Sequence, residues 1–328
     1  MAKKARAKLR AVQDPDADEE DTVWRRIPLG DEVRAHFRLR AEPFGQAPAN
    51  EAEIWLSKDL RDLRARVLAA PTHRNLVCVI APSGAGKSTF LQSVFVRETP
   101  EPDLVILAPG FVDRGRLSIS FLYEYLLRAL RTPYREVQGL SPMERHEALL
   151  ARLDALAAEE KRVALLLDDA HLFSEELLLS VKAWVEMAKG YRRLMGVILV
   201  GQEELGDRLA LPRFRQIRGR ADIIEWPEFT ARHIRSYLDF KVQLAGGEFG
   251  RVFQDDVPAA IAKRLKGGHA DQLATPMAVE ACAALAMRWA WAAEEKHVTA
   301  AHVRDARAAA EDYEEAEEAA PARATAAA

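Results

Sequence analysis

The chain has 328 residues, 49% of them hydrophobic and 30% charged, which gives room for one large globular domain or two modest ones. The net charge of −3 points to no partner by itself, and the two cysteines, Cys78 and Cys282, sit far apart in apolar runs, which excludes a disulfide framework and a Cys-x-x-Cys metal site. No apolar run approaches the roughly 20 residues needed to cross a bilayer, and the basic N-terminus lacks the apolar core of a signal peptide, so the expectation is a cytoplasmic protein with no membrane partner.

The ends read as solvated and largely disordered. MAKKARAKLR is basic, DPDADEED at 14–21 is acidic, and EDYEEAEEAAPARATAAA is acidic and then alanine-rich, with little to bury. Residues 1–40 and 312–328 are assigned to these tails; the basic end can still touch nucleic acid, and the acidic one can repel DNA, present a partner segment or simply aid solubility. From 53 to 70, Leu60, Leu63 and Val67 share one face of an amphipathic helix, with Ser57 as N-cap. Five short apolar runs follow: NLVCVIAP (75–82), DLVILAPG (103–110), RVALLLDDA (162–170), LMGVILVGQ (194–202) and ADIIEW (221–226). Strands this apolar along their whole length are covered on both faces, as in a parallel sheet. Helical segments separate them, including KSTFLQSVFV, SISFLYEYLLRALR, PMERHEALLARLDALAAEEKR, SEELLLSVKAWVEMAKGY and EELGDRLAL, which is the α/β alternation. After Pro227 the strands stop, and four helices are expected, with Gly246–Gly247 and Gly267–Gly268 as stops and Thr299 as a cap. The reading is an α/β domain at 41–228 and an all-helical domain at 229–311.

The stretch APSGAGKST, 81–89, lies between a strand and a helix. Its glycines let backbone N–H groups from Ser83, Gly84, Ala85 and Gly86 turn inward onto phosphate oxygens, and the helix N-terminus adds partial positive charge. Lys87 reaches the β and γ phosphates of ATP, Ser88 supplies a hydroxyl for Mg²⁺, and Thr89 continues the cradle. The first position of the motif is Ala81 rather than glycine. The run LLLDDAHLF ends a strand in two carboxylates: Asp168 can hold Mg²⁺ through water, and Asp169 can orient or deprotonate the attacking water. At the tip of VILVGQ, Gln202 faces the γ-phosphate or else caps the helix that follows. Arg213, Arg215, Arg218 and Arg220 crowd one short segment and need an acidic partner, solvent or phosphate. In an oligomeric ATPase such an arginine reaches a neighbour's γ-phosphate.

Taken together these motifs resemble an AAA+ ATPase of the group that includes ExeA-type ATPases and the transposition regulators of the TnsC, TniB and MuB type. The resemblance runs from about Phe37 to Ala306 and rests on AEPFG, the P-loop, LLLDDAHLF, ILVGQEEL, the arginines before the last strand, LAGG and HVTAAHV. It implies a five-stranded P-loop domain with a small helical lid, ATP and Mg²⁺ as cofactors, Lys87 and Ser88 in Walker A, Asp168 in Walker B, Gln202 as sensor 1 and Arg220 as the arginine acting in trans. Two positions depart from the pattern. Asp169 stands where the family usually has Glu, and Pro276–Met277 stands where its lid often has Pro-Arg. Both put the hydrolysis rate in doubt more than binding. Secretion-type relatives carry a membrane segment and a wall-binding domain, so the compact chain fits the transposition branch better. That branch implies a homo-oligomer, a ring or helical filament, on duplex DNA, with a DDE-type transposase as partner. Arg114 and Arg116 in PGFVDRGRLS are the first candidates for phosphate contact, and Lys189, Arg192 and Arg193 in KGYRRL the second. Two rivals stay open: an ATPase that assembles protein machinery without DNA, and a regulator in which ATP scarcely turns over.

Overall fold

The computed structural model describes residues 28–95, 102–110, 117–132, 137–266 and 274–305. Arg114, Arg116, Gly267–Gly268, the basic N-terminal stretch and the acidic tail lie outside them. The chain divides into two compact units, one of Leu56–Ser83 and Lys87–Pro227, the other of Met1–Trp55, Gly84–Gly86 and Glu228–Ala328.

The described residues form seven strands in chain order: β1 (Leu76–Ile80), β2 (Leu104–Leu107), β3 (Arg162–Leu167), β4 (Ala188–Lys189), β5 (Arg192–Arg193), β6 (Gly196–Gly201) and β7 (Ala221–Glu225). Five form one all-parallel sheet in the order β2-β3-β6-β1-β7. Its inner strands are buried nearly end to end, which is why their sequences are continuous β-branched and leucine runs without alternation. The helix Lys58–His73 leads into β1, and Lys87–Phe95, Ile119–Ala129, Pro142–Ala158, Glu175–Val185 and Glu203–Ala210 lie in the crossovers between strands. Serines start four of them. Ser57, Ser118, Ser141 and Ser174 accept from backbone N–H groups of the first turn, and Ser141 closes a capping box with Glu144.

One helix is shorter than its sequence pattern. SEELLLSVKAWVEMAKGY reads as helical to Tyr191, but the helix ends at Val185 and the chain turns into the antiparallel β4–β5 hairpin. Gly190 takes φ 62°, which a two-residue hairpin turn needs and a helix forbids. Buried Met187 sustains the helical apolar period, yet its carbonyl accepts from Leu194 N–H at 3.0 Å and closes the hairpin base.

The second unit is helical, with Ala231–Leu244, Phe249–Val252, Val257–Lys266, Pro276–Ala292 and Ala300–Asp305. The helix Pro276–Ala292 is buried almost all round because alanines dominate it. The N-terminal part differs from the sequence reading, which leaves 1–40 as a tail and gives 41–55 to the α/β domain. Asp31–His36 is a helix, and Leu29, Val33, Phe37, Leu39 and Phe44 enter the core of the helical unit beside Ile234, Leu238 and Val242. The cause is hydrophobic: five large side chains in sixteen positions find their apolar neighbours there and not on the sheet. Glu280, 3% exposed, fixes the arrangement by accepting from Tyr237 Oη (2.5 Å), Lys241 Nζ (3.2 Å) and the Gly45 N–H (3.2 Å). No helix among the described residues is long and apolar enough to cross a membrane.

Candidate nucleotide site

The sheet register brings the candidate residues to one edge. Leu167 on β3 pairs with Leu199 on β6, and Gly201 on β6 pairs with Ile80 on β1. The carboxyl ends of three adjacent strands therefore deliver Asp168–Asp169, Gln202 and the P-loop to the same side, where open parallel sheets bind ligands. The Ala81 N–H donates to the Gly201 carbonyl at 2.9 Å, tying the start of the P-loop to the residue before Gln202.

Gly84 and Gly86 hold φ 71° and 87°, the left-handed backbone that curls the loop over the start of Lys87–Phe95. Lys87 Nζ donates to the carbonyls of Ala81 (3.1 Å) and Pro82 (2.9 Å), so the ammonium sits inside the curl. Burial lowers its pKa, while Asp168 and Glu204 pull the other way. Ser88 is exposed, and Asp168 is half-buried. One carboxylate, one hydroxyl and a lysine behind a glycine-rich loop fit a magnesium nucleotide, since Mg²⁺ keeps several waters and takes one or two protein oxygens plus phosphate. That ion, when bound, neutralises phosphate charge.

Asp168 Oδ1 accepts from the Asp169 N–H at 2.8 Å, and Asp169 itself adopts φ 51°, ψ 39°. Gln202 stands at the N-cap position of Glu203–Ala210, but its side chain makes no capping bond, so the capping alternative falls away. Its backbone N–H instead reaches His171 Nδ1 at 3.4 Å, and Arg208 Nη1 donates to the His171 carbonyl at 2.7 Å. His171 and Arg208 thus tie the turn carrying Asp169 to the helix after Gln202. His171 was visible within LLLDDAHLF, but nothing local marks Arg208, whose partner is 37 positions away.

The arginine cluster is unequal. Arg220 pairs with Glu186 (2.7 Å) and donates to the Gln216 carbonyl (3.0 Å), and Arg213 pairs with Glu175 (3.1 Å). Arg215 and Arg218 line a cavity of about 350 Å³ with Ala210, Leu211, Pro212 and Gly219. Of the basic candidates elsewhere, Lys189 and Arg192 pair with Asp154 at 2.9 and 3.2 Å, and Arg193 is exposed on the same hairpin. These lie apart from the nucleotide residues, on a hairpin inserted before β6. Within the helical unit, Thr275 caps the helix Pro276–Ala292 and Met277 packs over Gly84: a β-carbon placed there would stand 2.9 Å from Met277 Cε. An apolar side chain therefore occupies the place where the family pattern often has arginine.

Comparison with known proteins agrees with this fold. A family model described as AAA domain matches residues 70–209. General secretion pathway protein A of Aeromonas hydrophila is 24% identical over 221 residues, 64% of this chain, and the match spans 37% of that relative's length. Among solved structures, Cdc6p from Pyrobaculum aerophilum aligns over 81% of this chain and 68% of its own, with 18% identity and TM-score 0.52. A chain of the Drosophila ORC bound to DNA aligns over 94% of this chain and 74% of its own, with 15% identity and TM-score 0.51. The chain has the P-loop AAA+ fold, and its residues 70–209 match the AAA domain family.

Proposed function

We propose that this chain is an ATP-switched AAA+ ATPase that assembles on duplex DNA without reading its sequence and there marks a target for, or activates, a DDE-type transposase. The observation that carries the nucleotide reading is the convergence of Lys87, Asp168, Asp169 and Gln202 at the carboxyl ends of three adjacent parallel strands. Lys87 holds the β and γ phosphates, and Ser88 with Asp168 holds Mg²⁺. Asp169 and Gln202 place the attacking water. Arg220, exchanging Glu186 for phosphate, acts on the neighbouring subunit of a homo-oligomer. Binding to DNA is supported by the cationic β4–β5 hairpin, whose contacts would be to phosphate and hence strongly salt-dependent.

A second reading, an ATPase that assembles secretion-type protein machinery without DNA, is favoured by the similarity to General secretion pathway protein A. Sedimentation of the full chain with a duplex several helical turns long separates the two. The test compares no nucleotide, ADP, ATP and a non-hydrolysable analogue. Large complexes that need DNA together with ATP or the analogue support the first reading. A protein that binds ATP and ignores DNA in every state belongs to the second.

A further inference from the structure

The β4–β5 hairpin ends in a side chain that the fold does not use. Tyr191 is 110% exposed, so its ring leans on nothing among the described residues. It makes no hydrogen bond, ion pair or ring contact among the described residues. The ring follows Gly190 in the two-residue turn, and it is the glycine, at φ 62°, that satisfies the turn geometry. The second turn position ordinarily takes a small polar residue, so neither turn chemistry nor packing accounts for an aromatic there.

The mount beneath it is firm. Met187 and Leu194, at the two feet of the hairpin, are 3% and 1% exposed and joined by a backbone hydrogen bond of 3.0 Å. Lys189, Arg192 and Arg193 flank the ring. Asp154 answers Lys189 and Arg192, and Arg193 has no ion pair among the described residues, so the tip stays cationic. A two-stranded ribbon fits the major groove of duplex DNA, its cations meet phosphates, and an aromatic ring can pack its apolar surface against base edges and sugars without selecting a sequence.

We infer that the 188–193 hairpin is a duplex-DNA contact, with Tyr191 lying in the groove against base and sugar edges while Lys189 and Arg193 engage phosphates beside it. The inference rests on the DNA-assembly reading given above and names the element that makes the contact. The aromatic is the part that composition and charge alone do not supply, because a purely electrostatic patch needs no ring.

The test is an anisotropy titration of the full chain, loaded with a non-hydrolysable ATP analogue, on a fluorescent duplex across a salt series. Wild type is compared with Tyr191→Ala, Tyr191→Phe and Arg193→Ala. Tyr191→Ala is expected to weaken binding about fivefold without changing the salt slope, and Tyr191→Phe to bind nearly as wild type. Arg193→Ala is expected to lower the slope by about one. Unchanged melting temperature and ATP binding in Tyr191→Ala show that its fold is intact. If wild type binds DNA and both alanine variants match it in affinity and slope, the hairpin is not the contact and DNA assembly stands. If wild type binds no DNA, both readings fall. Wild-type DNA affinity together with lost self-association in Tyr191→Ala would assign the ring to a protein surface and overturn the inference.

Discussion

Asp169 shows how backbone geometry bears on chemistry. Its φ of 51° is in the left-handed region, which Asp and Asn enter far more readily than longer side chains. The shorter acid thus suits the turn between β3 and Ala170–Leu172, quite apart from its reach toward water. Asp169→Glu is expected to lose about 1 kcal/mol of stability, seen as a reduced denaturant midpoint. Asp169→Asn keeps that stability, because Asn tolerates the same backbone, but its ATP turnover drops about 100-fold or more while ATP binding persists. Lys87 yields a proton-linkage prediction. Burial lowers its pKa in the nucleotide-free protein, so stability rises with pH as the solution passes from the folded value to the higher unfolded one. Phosphate oxygens beside the ammonium raise that pKa again. If ATP seats on Lys87 as proposed, its binding in alkaline solution is expected to take up protons. Calorimetry in two buffers of different ionisation enthalpy reads this uptake directly, and Lys87→Met abolishes it.

At the level of elements, the β4–β5 hairpin balances three cations against one carboxylate. Lys189 and then Arg192 hold Asp154 below the usual carboxylate range. Asp154→Asn releases both cations, and duplex affinity is expected to rise on the order of two- to fivefold, the size of a surface ion pair. Filter binding at moderate salt measures it, and a decrease would mean that Asp154 positions the hairpin rather than neutralises it. This hairpin was also the element least visible beforehand. The five sheet strands were legible because burial on both faces leaves a continuous apolar run such as Val77–Ile80 or Val163–Leu167. The P-loop was legible because its glycines and Lys87 are consecutive. The hairpin is hidden because Met187 extends the apolar period that Val181, Trp184 and Val185 set at the end of the preceding helix, and one glycine is a weak signal against that pattern. The pairing of Arg220 with Glu186 and of Arg208 with His171 was invisible for another reason: each joins residues far apart in sequence, and charge alone does not select a partner.

For the whole molecule, the helical unit is assembled from separate parts of the chain. Its N-terminal portion is latched by Glu280, through the Gly45 N–H, Tyr237 and Lys241. Glu280→Gln leaves the Lys241 ammonium with a neutral partner in a largely buried position, and the helical unit is expected to lose about 3 kcal/mol. Differential scanning calorimetry reads the loss, and limited proteolysis should cut within 28–55 sooner than in wild type. A domain boundary at 41 does not capture this, because Leu29, Val33 and Phe37 carry no mark of which distant surface will bury them, whereas the change from strands to helices after Pro227 is plain in the sequence. The same arrangement sets an order of events during synthesis. Leu29, Val33, Phe37 and Phe44 emerge from the ribosome early, while Ile234, Val279 and Val303, which share their core, emerge late. Between them comes the whole of Leu56–Pro227, apart from three loop residues a unit continuous in sequence that can close as it is made. The nascent chain therefore carries an unburied apolar segment until the residues after Pro227 are made, and the helical unit closes after the sheet unit.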